Sequence, residues 1–363
     1  MRRKEIEEAM KLLHLETANN YTIAPPRCFM SCSPAWVPGR TLKTETVSES
    51  EPHPSELAIG VFGGCVYVQA ALAAAASLEI ENSTGIAPSS RQTPLFIHSI
   101  QGVFTKPGLR DRPFVYGVHT IPGGRSFRTS IVVASQPAQP SVNPDGPFLP
   151  SDAATRLNDP CFTAIATFKG AYAGRDEMQA TLSAQQLYAG VLSAKAPHQW
   201  PPVPLIDLDQ VTKLYPTVDY GDFPMIDMHK VDMTAYNHQK APADKRQLVY
   251  YRLMKPISRD KINSHIVCHA FAADRNGLNM LATHLGYGDF FGVAATLSYS
   301  FYVHVNGAEA IMGENEWWLL ESSWPRASAG RCMMQVKIWS PSGKHVATAY
   351  QDGILSPKSS PKI

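Results

Sequence analysis

The feature that most constrains this chain is the run at residues 61–78, VFGGCVYVQAALAAAASL, which holds no Asp, Glu, Lys or Arg. Alanine is the strongest helix former, so a helix is predicted to follow the Gly63-Gly64 pair and end near Asn82. A helix apolar all round has no face to offer water and must be enclosed. Two glycines, Gln69 and the weakly hydrophobic alanines argue for enclosure by protein rather than lipid, so no membrane span is expected. Four strand-like runs come next, at residues 95–104, 114–120, 126–135 and 161–168. Turn chemistry separates them, at Lys106-Pro107-Gly108, Pro122-Gly123-Gly124 and Asn143-Pro144-Asp145-Gly146.

The second half repeats the plan. Residues 266–273 read as a strand, and residues 274–285 carry Leu278, Leu281 and Leu285 at helical spacing. Strand-like runs recur at 294–305, 316–323, 331–340 and 345–352, and Gly330-Arg331 opens one of them as Gly124-Arg125 does in the first half. A helix followed by consecutive antiparallel strands, given twice, predicts a duplicated α+β unit and excludes a doubly wound sheet. The helices at 61–78 and 274–285 are then expected to be equivalent. Residues 1–170 form the first unit, with a short amphipathic helix on Ile6, Met10 and Leu13 and a Ser/Thr/Pro-rich loop at 16–55. Residues 171–222, with a helix-like stretch at 177–194 and then many prolines, read as a linker. The second unit takes 223–355, and 356–363 is a tail.

Charge and motifs narrow the chemistry. Lys+Arg and Asp+Glu nearly cancel, at 33 against 31, so no nucleic-acid partner is expected. The six cysteines form no CxxC pair and read as reduced thiols. P-loop, G-x-S-x-G, G-x-G-x-x-G and H-E-x-x-H patterns are all missing. His265, Cys268 and His269 have the spacing of helical metal ligands, but no second cluster completes a site, and the strand reading scatters them. Cys65 could be a nucleophile at a helix start, though its apolar neighbours favour a small buried hydrophobe.

Several short segments occur together and in order: Lys11–Glu16 (KLLHLE), Val61-Phe62-Gly63-Gly64 with Gln69, His98-Ser99, Phe104 with Pro107-Gly108, and Gly123–Phe127 running into Val132–Gln136. In the second half come Ala273-Asp274, Ala295-Thr296 with Ser300 and His304, and Ala347-Thr348-Ala349-Tyr350-Gln351-Asp352-Gly353. Together they resemble the acyl-CoA thioesterase II family, whose fold is a double hotdog: two tandem units, each an antiparallel sheet wrapped around a central helix. The resemblance implies an acyl-CoA substrate, a homo-oligomer and direct water attack with no metal, cofactor or covalent intermediate. It also implies that Asp274, Thr296 and Gln351 hold one water, and that Gly63 and Gly64 present backbone N–H groups to the substrate carbonyl. Thioester hydrolysis needs a positioned water, a group to accept its proton and donors for the developing oxyanion, and these residue types supply them.

The same residues have plainer readings. Asp274 suits a helix N-cap, Thr296 is a strand former, and Gln351 could sit at a strand end. Where the family has Asp-His the chain has Ser298-Tyr299, and Cys65 stands where the family has Gln. Two other functions fit the same fold: a hydratase or dehydratase acting on acyl thioesters, and a non-catalytic acyl-CoA-binding protein. The C-terminal Pro361-Lys362-Ile363 keeps the basic and aliphatic positions of a peroxisomal import signal, so a peroxisomal or cytoplasmic location is expected.

Overall fold

The computed structural model describes residues 3–15, 26–40, 60–83, 94–124, 126–208, 211, 223–287 and 291–357. Most of the 16–55 loop, Arg125 and Pro361-Lys362-Ile363 lie outside them. A one-turn helix α1 (Ile6–Ala9) precedes the long helix α2 (Gly63–Ser83). By length and composition α2 could cross a membrane, but 72% of its most apolar stretch is buried inside the protein. Ala70, Ala71, Ala73 and Ala74 are fully enclosed.

What encloses α2 is a twelve-stranded antiparallel sheet. The first half supplies β1 (Leu12–Leu15), β2 (Arg27–Ser31), β3 (Leu95–Phe104), β4 (Val115–Ile121), β5 (Phe127–Ser135) and β6 (Phe162–Gly170). The second supplies β7 (Ile226–Lys230), β8 (Gln247–Leu253), β9 (Phe291–Val303), β10 (Trp318–Ser328), β11 (Arg331–Trp339) and β12 (His345–Pro357). Their spatial order is β1-β2-β4-β5-β6-β3-β9-β12-β11-β10-β8-β7, so each half runs from its edge in the same sequence of strands, and the halves join where β3 pairs with β9. These are two hotdog units, each an antiparallel sheet around a helix. The tight hairpin between β10 and β11 turns at Ala329 and Gly330, both with positive φ (52° and 72°), which suits the twist of the strands they join.

One expectation is overturned. Residues 266–273 are not a strand; they lie in helix α3 (Ile262–Ala273), every residue of which from His265 onward is buried. A short run buried on every side cannot be told from a core strand by periodicity. The helix packed against α2 at the centre is therefore α3, and the predicted helix at 274–285 is a shorter one, α4 (Gly277–His284). Asp274 consequently stands at the C-terminal end of α3 rather than N-capping a helix.

The metal-ligand spacing of His265, Cys268 and His269 is real but serves the core. The His269 ring meets the Tyr251 hydroxyl at 2.6 Å and the Ala310 carbonyl at 2.8 Å, and burial lowers its pKa to about 4. Among the described residues no cluster of His, Cys, Asp and Glu could hold a metal.

Residues 184–187 and 189–192 form two helical turns that dock on the outer face of the second sheet. There the buried Glu321 accepts hydrogen bonds from the Tyr188 hydroxyl (2.8 Å) and the Trp339 indole (3.0 Å). The stretch at 171–222, expected as a linker, thus carries packed structure of its own. The strands β1, β2, β7 and β8 were not anticipated either.

The duplication can be placed in register. β3 bulges at His98 and β9 at Leu297. Laying one bulge on the other brings Gly63 onto Ile262, so that the two helix starts coincide. The same alignment sets Ala75 on Asp274, Ile97 on Thr296 and Ala166 on Gln351. Each of these polar residues of the second unit is equivalent to a buried apolar one in the first.

Candidate active site

The site begins with a broken helix. In the first unit α2 runs on for 21 residues, whereas in the second the corresponding stretch divides into α3 and α4. The break falls at Asp274-Arg275-Asn276, and Asn276 takes the left-handed conformation (φ 59°) that ends α3. Asp274 is left on a turn between two helices, facing the N-terminus of α2. Its carboxyl accepts the Gly64 backbone N–H.

Two strands bring the other groups. On β12, Gln351 is 3% exposed, and its carboxamide Nε2 donates to Asp274 Oδ1 (2.9 Å) and to Thr296 Oγ1 on β9 (2.5 Å). Asp274, Thr296 and Gln351 are thus joined through one amide nitrogen, although 77 residues separate the first from the last. Gln351 Oε1 is buried and has no hydrogen-bond donor among the described residues. Gly277 makes this approach feasible. A Cβ there would lie 3.1 Å from Gln351 Oε1 and 2.0 Å from Met334 Sδ. The Trp324 indole holds the Gly277 carbonyl at 3.0 Å and fixes the start of α4.

Burial sets the electrostatics. Desolvation raises the Asp274 pKa to about 7, against the opposing pull of the Gly64 N–H. A carboxyl poised there can take and return a proton at neutral pH. Cys65 is different: burial pushes its thiol to about 12, so it is a core group and no nucleophile.

The three residues open onto a cavity of about 310 Å³ between the units. Its walls are mainly apolar, with Trp36, Phe104, Ile206, Leu208 and Leu278 prominent, and Gly63 lines it at the N-terminus of α2. The wall segment at 204–208 belongs to the expected linker and is tied down by polar contacts. The Pro204 carbonyl accepts from Arg275 Nη2 (2.9 Å) and Asn276 Nδ2 (2.8 Å). The Arg275 guanidinium itself lies over the rings of Trp36 (4.7 Å) and Phe223 (4.0 Å).

Of the five residues singled out from sequence, the structure brings Asp274, Thr296 and Gln351 into contact and sets Gly63 on the cavity wall. Gly64 binds the carboxyl of Asp274 rather than lining the cavity. Gly277 and the 204–208 wall were missed. The Asn276-Gly277 dipeptide, a strong turn signal, could have placed the break. Nothing local marks Ile206 and Leu208 as wall residues.

Comparisons with known proteins bear on the family and the fold. Residues 52–169 match the acyl-CoA thioesterase N-terminal domain, and residues 201–355 match the acyl-CoA thioesterase C-terminal domain. No curated protein sequence matches the chain. Among solved structures, an acyl-CoA thioesterase II from Mycobacterium marinum is similar over 99% of both chains, at 20% identity and a TM-score of 0.59. A hot dog fold protein of unknown function from Alicyclobacillus acidocaldarius is similar over 98% of both chains, at 15% identity and a TM-score of 0.57. A putative thioesterase II from Thermobifida fusca covers 98% of this chain and is itself covered to 99%, at 12% identity and a TM-score of 0.56. At these identities the structures speak for the fold, while the paired domain matches carry the family assignment. The chain belongs to the acyl-CoA thioesterase family whose N-terminal and C-terminal domains it carries in tandem, a double hotdog fused in one polypeptide.

Proposed function

We propose that the protein hydrolyses an acyl-CoA thioester to the free acid and CoA by direct attack of water. One observation carries this reading: a buried carboxyl with a pKa near 7 is tied through a single carboxamide to a hydroxyl, beside an apolar cavity and a helix N-terminus. Ionised Asp274 accepts a proton from water as the water oxygen bonds to the thioester carbon. The developing oxyanion faces the Gly63 end of α2, where backbone N–H groups and the helix dipole stabilise negative charge. The tetrahedral intermediate collapses by breaking the C–S bond, and Asp274 returns the proton to the departing CoA thiolate. Gln351 Oε1, the acceptor with no protein donor, can take the second water O–H, while Nε2 keeps Asp274 and Thr296 in place. The acyl chain lies along Trp36, Ile206 and Leu208.

The test is CoA release, followed with a thiol reagent over a panel of acyl-CoAs of graded length and branching. Turnover of at least one member supports the proposal. Binding without release across the whole panel would reject it in favour of a non-catalytic acyl-CoA-binding protein.

The pH dependence has a defined sign. A base must be ionised to act, so kcat/KM should rise with pH and level off above an apparent pKa of about 7, the value that burial gives Asp274. A profile already flat from pH 5 upward would mean that Asp274 is not the base.

A further inference from the structure

We infer that Tyr299 is the positioning residue of this site, because its hydroxyl takes the Ala270 carbonyl at the broken end of α3 and so holds Asp274 out of the helix. In a continuous helix the Ala270 carbonyl would accept the backbone N–H of Asp274, four residues on. Here the Ala270 carbonyl accepts the Tyr299 hydroxyl (3.2 Å), while the Arg275 N–H bonds the Ala272 carbonyl (3.2 Å) in the tighter i→i−3 manner of a helix end. A buried carbonyl released from its helix is costly if left unpaired, and the Tyr299 hydroxyl pairs it.

The first unit provides an internal control. On the register set by the two bulges, Tyr299 corresponds to Ile100 and Ala270 to Ala71. There α2 passes Ala71 and Ala75 without a break, and the facing residue is a fully buried isoleucine with no donor. Hydroxyl and break occur together in one unit and are missing together from the other. Tyr299 is itself held firmly: it is 1% exposed and its ring packs on Tyr67 at 4.5 Å. Without the hydroxyl, Asp274 can rejoin the helical bond to Ala270, which draws its carboxyl away from the Gly64 N–H and from Gln351.

This inference rests on the proposed hydrolysis for its kinetic readout but not for its spectroscopic one. The variant is Tyr299→Phe, with Tyr299→His as the conservative partner, since an imidazole N–H can also donate to a carbonyl. Two measurements are made on each full-length protein. The first is kcat and KM for the acyl-CoA that the wild type turns over. The second is the infrared titration of the Asp274 carboxyl, taken as a difference against Asp274→Asn. In Tyr299→Phe, kcat should fall by about 10- to 100-fold with KM nearly constant, as a misplaced catalytic group predicts. The Asp274 midpoint should rise by on the order of one pH unit, since the ionised form loses a donor. Tyr299→His should recover most of both. An unchanged midpoint in Tyr299→Phe overturns the inference whatever the rates do. A histidine variant no better than phenylalanine in both measurements also overturns it, because the donor would then not matter. Should the wild type release no CoA from any substrate, the proposed function fails, and the infrared midpoint alone decides the role of Tyr299.

Discussion

Asp274→Asn is expected to lower kcat by 10³-fold or more while making the fold relatively more stable as pH rises. The first effect follows from roles. Asp274 is the group of the three that can accept a proton near neutral pH, whereas Thr296 and Gln351 can only hold or orient. Losing one hydrogen-bonding contact to a reacting group typically costs about 10²–10³ in rate, and losing the base removes proton transfer as well. The second effect follows from linkage. The carboxyl titrates at about 7 in the fold and near 4 in an unfolded chain, so the folded state binds its proton more tightly. The stability this group confers is complete below pH 4 and is lost as pH rises through 7, amounting to a few kcal/mol by order of magnitude. Asparagine carries no such penalty, although its amide cannot accept the Gly64 N–H as well as a carboxylate does. The decisive measurement is therefore the difference in Tm between variant and wild type at pH 5 and pH 8. That difference should move in favour of the variant on going to pH 8. A constant difference, or turnover close to wild type in a folded Asp274→Asn protein, would remove Asp274 from the role of base.

The fold was legible wherever one physical constraint dominated. An uncharged Ala-rich run has no face to offer water, and α2 is enclosed by the sheet. Strands β3 to β6 and β11 are bounded by turn residues, and their predicted and observed limits agree within two residues, whereas β10 and β12 run five residues beyond their predicted ends and β9 begins three residues early. Residues 266–273 failed because every side is buried, which erases the periodicity that separates helix from strand. The edge strands β1, β2, β7 and β8 were passed over, and Ile226–Lys230 (IDMHK) shows why: it mixes Asp, His and Lys among its apolar residues. The candidate site was legible only through the family resemblance. Asp274, Thr296 and Gln351 are each ordinary in their local context, and their meeting depends on β9 and β12 pairing beside a helix break. The departure Ser298-Tyr299 places a hydroxyl donor on the Ala270 carbonyl.

Gln351→Leu and Gln351→Glu should both disable the enzyme, but for different reasons, and the pH profile separates them. Leucine keeps the bulk of the side chain while deleting the N–H that spans Asp274 Oδ1 and Thr296 Oγ1. Removal of that one bridging group is expected to reduce kcat by about 10²–10³-fold. The ionised Asp274 also loses a donor, so the acid limb of the profile should move above its starting value of about 7. Glutamate instead sets a second carboxyl where the amide nitrogen lay, 2.9 Å from Asp274 Oδ1. Two carboxyls that close cannot both ionise at ordinary cost; they share a proton and titrate as a pair with widely separated apparent pKa values. In Gln351→Glu the activity should therefore stay low through neutral pH and recover only where the shared proton leaves, well above the wild-type limb. Gln351→Leu should instead show a single displaced limb with a reduced plateau. If both variants keep the wild-type limb and lose activity only through KM, Gln351 binds substrate and does not hold the base. If Gln351→Glu matches wild type at pH 7, the carboxamide bridge is not part of the chemistry, and the water must be oriented by Thr296 and Asp274 alone.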